Sequence, residues 1–275
     1  MHNRIAKIFL ELHNTGRKAL IPYMTPEYPL KGCTLPILRA LDGSGADLIE
    51  VGIPFSDPLA DGPIIQHSSM VAIGNGVTLQ SILTSVKEFR KESDVPVILM
   101  GYSNPLMRYG IENFCRDTIA AGVDGIIVPD LPPEEAGALR THTYAAGLSM
   151  IFLIAPTSTP ERIRTLDALS SDFTYCVSIT GVTGSYHDFE QDQKFRSFME
   201  NVRHNTTKPF VVGFGISSCD DVERVWQYAD GAVVGSALIK ALGNCQSIEE
   251  TAVRAGAFLT SLRPDTTPPK EGSAT

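Results

Sequence analysis

The sequence predicts a single (β/α)8 TIM barrel, and three observations carry that prediction. Eight short runs rich in Val, Ile, Phe and Leu recur along the chain without polar alternation, the pattern of strands buried on both faces by flanking helices. Segments with helical spacing lie between them, so strand and helix alternate throughout. Glycine-rich strand ends fall late in the chain and no G-x-G-x-x-G turn follows the first strand, which counts against an open, doubly wound sheet.

The predicted strands are 19–24, 46–53, 95–102, 125–128, 150–155, 173–179, 210–214 and 231–235. Leu79, Ile82, Leu83, Val86 and Phe89 mark one intervening helix, and Ile163, Leu166 and Leu169 or Val222, Val225 and Trp226 mark others. Ahead of the first strand, Ile5, Ile8, Phe9 and Leu12 make an amphipathic extra helix expected to cover the base of the barrel. Two connections are long, 54–77 after strand two and 181–188 after strand six, and long loops in compact domains are often lids. The barrel domain is expected to span 1–263, and the tail 264–275, PDTTPPKEGSAT, to be disordered.

A chain of 275 residues with 43% hydrophobic and 20% charged residues has ample material for one large core. Its net charge of −8 argues against nucleic acid or an anionic membrane as the main partner. Cys33, Cys115, Cys176, Cys219 and Cys245 are far apart and show no CxxC, so they are expected as buried thiols of a reducing compartment. His2, His13, His67, His142, His187 and His204 show no ligand spacing, and no metal is expected. The N-terminus lacks a signal-peptide core and no run reaches the length of a membrane span, which predicts a cytoplasmic protein.

The most informative stretch is ADLIEVGIPFSDPLADGPIIQ, 46–66. It begins as an apolar strand with Glu50 in its middle, and a carboxylate there needs a partner, a raised pKa or a task for its proton. Asp61 follows in a turn rich in Pro and Gly. One carboxylate on a rigid strand and a second on a loop beyond it suit acid/base chemistry under a lid, although a salt-bridged acid in an ordinary strand is the plain alternative.

Gly213, Phe214 and Gly215 close strand seven, while Gly235 and Ser236 close strand eight ahead of a short apolar helix. In a barrel these loops are neighbours, and glycine backbone with a helix N-terminus makes a phosphate cradle. SITGVTGSYH, 178–187, adds a glycine-flanked hydroxyl at Thr183. By itself it reads equally as a surface loop. Tyr23, Met100, Tyr102, Ile127, Pro129, Leu153 and Tyr175 offer apolar surface at the mouth for a flat aromatic ligand, with Met100 and Tyr102, or Ile127 and Pro129, on one strand face each.

The run EVGIPFSDPLADG, together with YMT at Tyr23, YSNP at Tyr102, PDLPPEE at Pro129, GVTG, GFGIS and VGSA, resembles the tryptophan synthase alpha subunit over nearly the whole chain. The resemblance implies retro-aldol cleavage of indole-3-glycerol phosphate to indole and glyceraldehyde 3-phosphate. Glu50 would carry both proton transfers, and Asp61 would stay ionised and stabilise positive charge on the ring nitrogen. It also implies that Thr183 contacts the Asp61 loop, that Gly184 joins the phosphate cradle, that the apolar mouth holds indole, and that Tyr175 is hydrogen-bonded near Glu50.

The implied partner is a beta subunit carrying pyridoxal phosphate in an alpha2beta2 complex, met through Pro54, Asp57, Asn104 and Pro105, with no cofactor in this chain. Ile179 departs from the Arg or Lys common before the GVTG loop, so any charge-based part of loop closure is not expected here. Other readings remain open at this point: a phosphate-binding barrel isomerase or indole-glycerol phosphate synthase, a standalone lyase, and a non-catalytic regulator. The synthase would need an active-site lysine that the strand and mouth segments lack, and the presence of both acids weighs against the regulator.

Overall fold

The apolar runs form nine parallel strand segments among the residues that the computed structural model describes, 3–177, 189–213 and 215–264. These are β1 (Ala19–Met24), β2 (Ile49–Gly52), β3 (Val97–Met100), β4 (Gly125–Ile127), β5 (Ser149–Ile151), β6 (Leu153–Ile154), β7 (Thr174–Val177), β8 (Phe210–Gly213) and β9 (Gly231–Val234). Each pairs with its sequence neighbour and β9 returns to β1, with Ile21 opposite Val233. The remaining gap lies between β5 and β6, which only Phe152 separates. Because β5 pairs with β4 and β6 with β7, the two are halves of one barrel strand. The Tyr175 amide also donates to the Phe152 carbonyl at 3.2 Å, so the nine segments close as eight staves.

Among the described residues twelve helices surround the sheet: α1 (Arg4–Asn14), α2 (Thr34–Gly43), α3 (Pro63–Gly74), α4 (Leu79–Phe89), α5 (Ser103–Tyr109), α6 (Ile111–Ala120), α7 (Gly137–Ala146), α8 (Pro160–Leu169), α9 (Phe189–Asn205), α10 (Cys219–Trp226), α11 (Ser236–Leu242) and α12 (Ile248–Ser261). Their starts are written in the sequence. Thr78 with Ser81 and Ser218 with Asp221 form reciprocal capping boxes, and Thr159 caps α8 with Pro160 at its first position.

The core is layered. Between sheet and helices pack residues such as Leu20, Val51, Phe89, Leu99, Phe114 and Phe210, all essentially buried. Inside the barrel, Ile98, Ile127, Ile151, Phe173, Val211 and Val233 fill the lumen, and α1 closes it from below with Ile5, Phe9 and Leu12. Phe9 and Phe173 bring their rings to 5.2 Å. An ionic clasp secures this base: Asp124 accepts from Arg4 at 3.0 Å, from Arg90 at 2.7 Å and from the Val97 amide at 2.8 Å. Arg90 is itself buried and donates to the carbonyls of Gly122, Ser93 and Val95. With its partners satisfied, this charge is tolerated where a lone one would not be.

Two boundaries differ from expectation. The connection after strand two is not one long loop, because α3 occupies 63–74 and leaves only 53–62 open. The third strand ends at Met100, since Pro105 suits the first turn of a helix and α5 begins at Ser103. The second long connection, 181–188, and the tail from 265 onward lie outside the described residues.

Candidate active site

Glu50 stands in the middle of β2, opposite Tyr23 of β1 and Ile98 of β3. Its side chain points into the barrel and is buried, and its Oε1 has no hydrogen-bond partner among the described residues. Burial pushes its pKa from 4.5 up to about 8, and the charge of Asp61 adds to the rise. The acid is therefore protonated at neutral pH. It keeps one oxygen free for whatever enters the barrel.

Asp61 comes from the loop that follows β2. The turn 58–61 closes with the Asp61 amide donating to the Pro58 carbonyl at 3.0 Å, and α3 starts just beyond, with Gly62 as its cap. Burial raises its pKa from 3.8 to about 6, while the Tyr102 hydroxyl acts the other way. Asp61 is thus shifted upward yet mainly ionised at neutral pH. Two carboxyls with separated pKa values face one space, the condition under which one serves as acid and the other as charge.

That space is a cavity of about 390 Å³ at the C-terminal mouth. Glu50 and Asp61 line it with the apolar side chains of Tyr23, Met100, Pro129, Leu153 and Tyr175. Gly215, Gly235 and Ser236 line it too. The two tyrosines share one geometry: each crosses two residues along the barrel and sets its hydroxyl against a glycine of the next strand. A Cβ on Gly52 would fall 2.2 Å from the Tyr23 hydroxyl, and one on Gly213 would fall 1.9 Å from that of Tyr175. Side chains on either glycine would push an aromatic ring out of place.

Several expected site residues fall elsewhere. Ile127 is buried in the lumen layer below the cavity, because β4 ends there and only Pro129 reaches the mouth. Tyr102 does not line the cavity either; it lies behind the Asp61 loop, past the end of β3. Gly213 meets the cavity only through Tyr175 above it. No hydrogen bond joins Tyr175 to Glu50 among the described residues. Thr183, Gly184, Phe214 and Ile179 lie outside the described residues. Of the expected partner-facing residues, Asp57 and Asn104 are exposed and Pro54 and Pro105 half-buried.

The structure adds residues that the sequence reading missed. Ala60, Gly62, Ile64, Ile65, Val177, Ile216, Ser217, Val233 and Ala237 complete the cavity wall, and Lys240 reaches it from α11. The position of Lys240 was legible, since it follows Ser236 by four residues on the same helical face. Among the described residues, no group of His, Cys, Asp and Glu is placed to hold a metal, and no helix is long and apolar enough to cross a membrane.

A closed parallel barrel with two mutually repelling carboxyls and an apolar cavity at the C-terminal ends of its strands defines an acid/base enzyme of the barrel class. Comparison with known proteins narrows this class. The chain belongs to the tryptophan synthase alpha chain family, whose model matches residues 9–264.

It is 47% identical over 268 residues to the tryptophan synthase alpha chain of Chlorobium chlorochromatii, covering 95% of this chain and 99% of that one. The crystal structure of tryptophan synthase subunit alpha from Legionella pneumophila superposes with a TM-score of 0.87 at 34% identity, covering 96% and 98% of the two chains. A chain of the tryptophan synthase complex from Pyrococcus furiosus gives 0.79 at 36% identity, covering 89% and 97%.

Proposed function

We propose that this chain cleaves indole-3-glycerol phosphate to indole and glyceraldehyde 3-phosphate and delivers the indole to a beta subunit. The observation that carries the reading is the pair Glu50 and Asp61, one acid protonated and one ionised, facing one apolar cavity. Indole carbon is a poor leaving group. Proton donation from Glu50 to the ring carbon gives an indolenine, whose ring accepts the electrons of the breaking carbon–carbon bond. Glu50, now ionised, takes the proton of the glycerol hydroxyl as that carbon becomes an aldehyde, which restores the acid. Asp61 accepts the ring N–H and opposes the positive charge that develops on nitrogen. The productive form has Asp61 ionised and Glu50 protonated, which places the working range between about 6 and about 8.

Tyr23, Met100, Pro129, Leu153 and Tyr175 would clasp the flat ring. The backbone of Gly215, Gly235 and Ser236, with Gly184 and Phe214, would receive the phosphate. The step uses no cofactor of this chain, pyridoxal phosphate being the beta subunit's. Pro54, Asp57, Asn104 and Pro105 are proposed to meet that subunit. Leu59, 95% exposed, and Met107, 58% exposed, add apolar surface beside them.

Indole release by the purified chain, with and without added beta subunit, tests the reading. Slow release alone and faster release with the partner are expected. Equal, fast release under both conditions would make the chain a standalone lyase, and none under either would leave a binding protein.

A further inference from the structure

Resting on that reading, we infer that Tyr102 is a positioning residue, whose hydroxyl and ring hold the Asp61 loop to the start of α5. Tyr102 is 5% exposed and does not line the cavity. Its hydroxyl accepts a hydrogen bond from the Ala60 amide at 2.9 Å, one residue before Asp61. Its ring meets Phe55, at the other end of the same loop, with centroids 5.6 Å apart and planes inclined at 34°. One side chain therefore grips the loop at both ends.

Behind this grip stands a rigid mount. Tyr102 is the capping residue of α5, and the next residue, Ser103, donates twice to Asp130 of the loop after β4, from its amide at 2.9 Å and its hydroxyl at 2.7 Å. The loop's own ties are few: Leu59 to Asp57 and Asp61 to Pro58 within it, the Ile53 amide to the Met100 carbonyl at its start, and the Gln66 side chain of α3 to the Asp61 carbonyl at its end. The α5 face that carries exposed Met107 and the carboxylate that serves the substrate are thus joined through Tyr102. A phenol can accept the Ala60 N–H and still donate its own proton. Burial keeps the Tyr102 phenol protonated throughout the working range, so that proton remains available to the Asp61 carboxylate. The groups that also face Asp61 are Tyr23 of β1, Glu50 of β2 and Tyr175 of β7, and Lys240 of α11 lines the same cavity.

Tyr102→Phe in the full chain tests the assignment, because it keeps the ring against Phe55 and removes only the hydroxyl. Hydrogen exchange of the Ala60 amide, read in peptides spanning 55–62, is expected to quicken about tenfold or more while β3 amides stay unchanged. With saturating beta subunit, kcat is expected to fall about tenfold with KM changed less than about threefold. The acid limb of the pH profile should move to higher pH, since loss of the hydroxyl lets burial raise Asp61 further. Unchanged exchange, or quickened exchange with unchanged kcat and pH profile, would overturn the assignment. A raised KM at constant kcat would overturn it too, making Tyr102 a substrate contact. A wild-type chain that releases no indole would defeat the proposed reaction, while the exchange result would still decide whether Tyr102 holds the loop.

Discussion

Replacing Glu50 by Gln should remove one component of the pH dependence of stability, and the size of that component follows from burial. Glu50 is fully enclosed, and its pKa rises from 4.5 to about 8 on folding. Through this group the folded chain holds more protons than the unfolded one between those values, so the contribution of Glu50 to stability is fully present below pH 4.5, declines through the window and is lost above about 8. At about 1.4 kcal/mol per pH unit the full decline is about 5 kcal/mol. Gln cannot ionise and escapes it. The amide has its own cost, because Oε1 of Glu50 lacks a partner and a buried NH2 in that space would be unsatisfied, worth about 1 to 3 kcal/mol.

Glu50→Gln is therefore expected to be less stable than wild type at pH 5 and more stable at pH 9. Urea unfolding of both chains at pH 5, 7 and 9, extrapolated to water, measures this directly. Turnover should fall by about two to four orders of magnitude at every pH, since the amide transfers no proton. Parallel stability profiles would refute the premise that burial drives the pKa. A variant that kept its turnover would remove Glu50 from the mechanism.

Gly213→Ala should lower kcat/KM about tenfold or more, because its Cβ would displace Tyr175 from the cavity wall, and should cost about 1 to 3 kcal/mol in urea unfolding. Gly235→Asp should raise KM more than about tenfold by repelling a phosphate dianion. Gly235→Ala should leave KM nearly unchanged, since the added Cβ would meet only Tyr23 at 3.4 Å, an ordinary contact. Arg90→Met should destabilise the barrel by about 3 kcal/mol, the lower end for a broken buried pair because Arg4 still faces Asp124, and leave kcat untouched.

The eight staves were legible in the sequence because parallel strands buried on both faces must be continuously apolar; seven predicted runs contain their observed strand, and the run 150–155 holds all of its stave except Ser149 at the start of β5. Glu50 was legible for the same reason, as a charge where the pattern forbids one. Side-chain direction failed where strands stop. The two-residue alternation that paired Met100 with Tyr102 holds only within a strand; β3 ends at Met100, and Tyr102 already belongs to the turn into α5. Ile127 obeys the alternation but lies one layer too deep, and depth along a barrel axis depends on stagger between strands, which no single segment encodes. Lys240 carries no strand-end signal, because it is brought to the cavity by α11, the first helix after β9.

The paired tyrosines and glycines bear on how this cavity can change. Its walls at Tyr23 and Tyr175 have the thickness of a ring laid over a bare backbone, so the room for a guest is set by what the neighbouring strands omit. Attempts to accept a bulkier aromatic guest should trim the rings and leave Gly52 and Gly213 alone. Any lineage that exchanged either glycine for a larger residue would have to shrink the facing tyrosine in step, so the two positions form a single unit of variation although they sit on different strands.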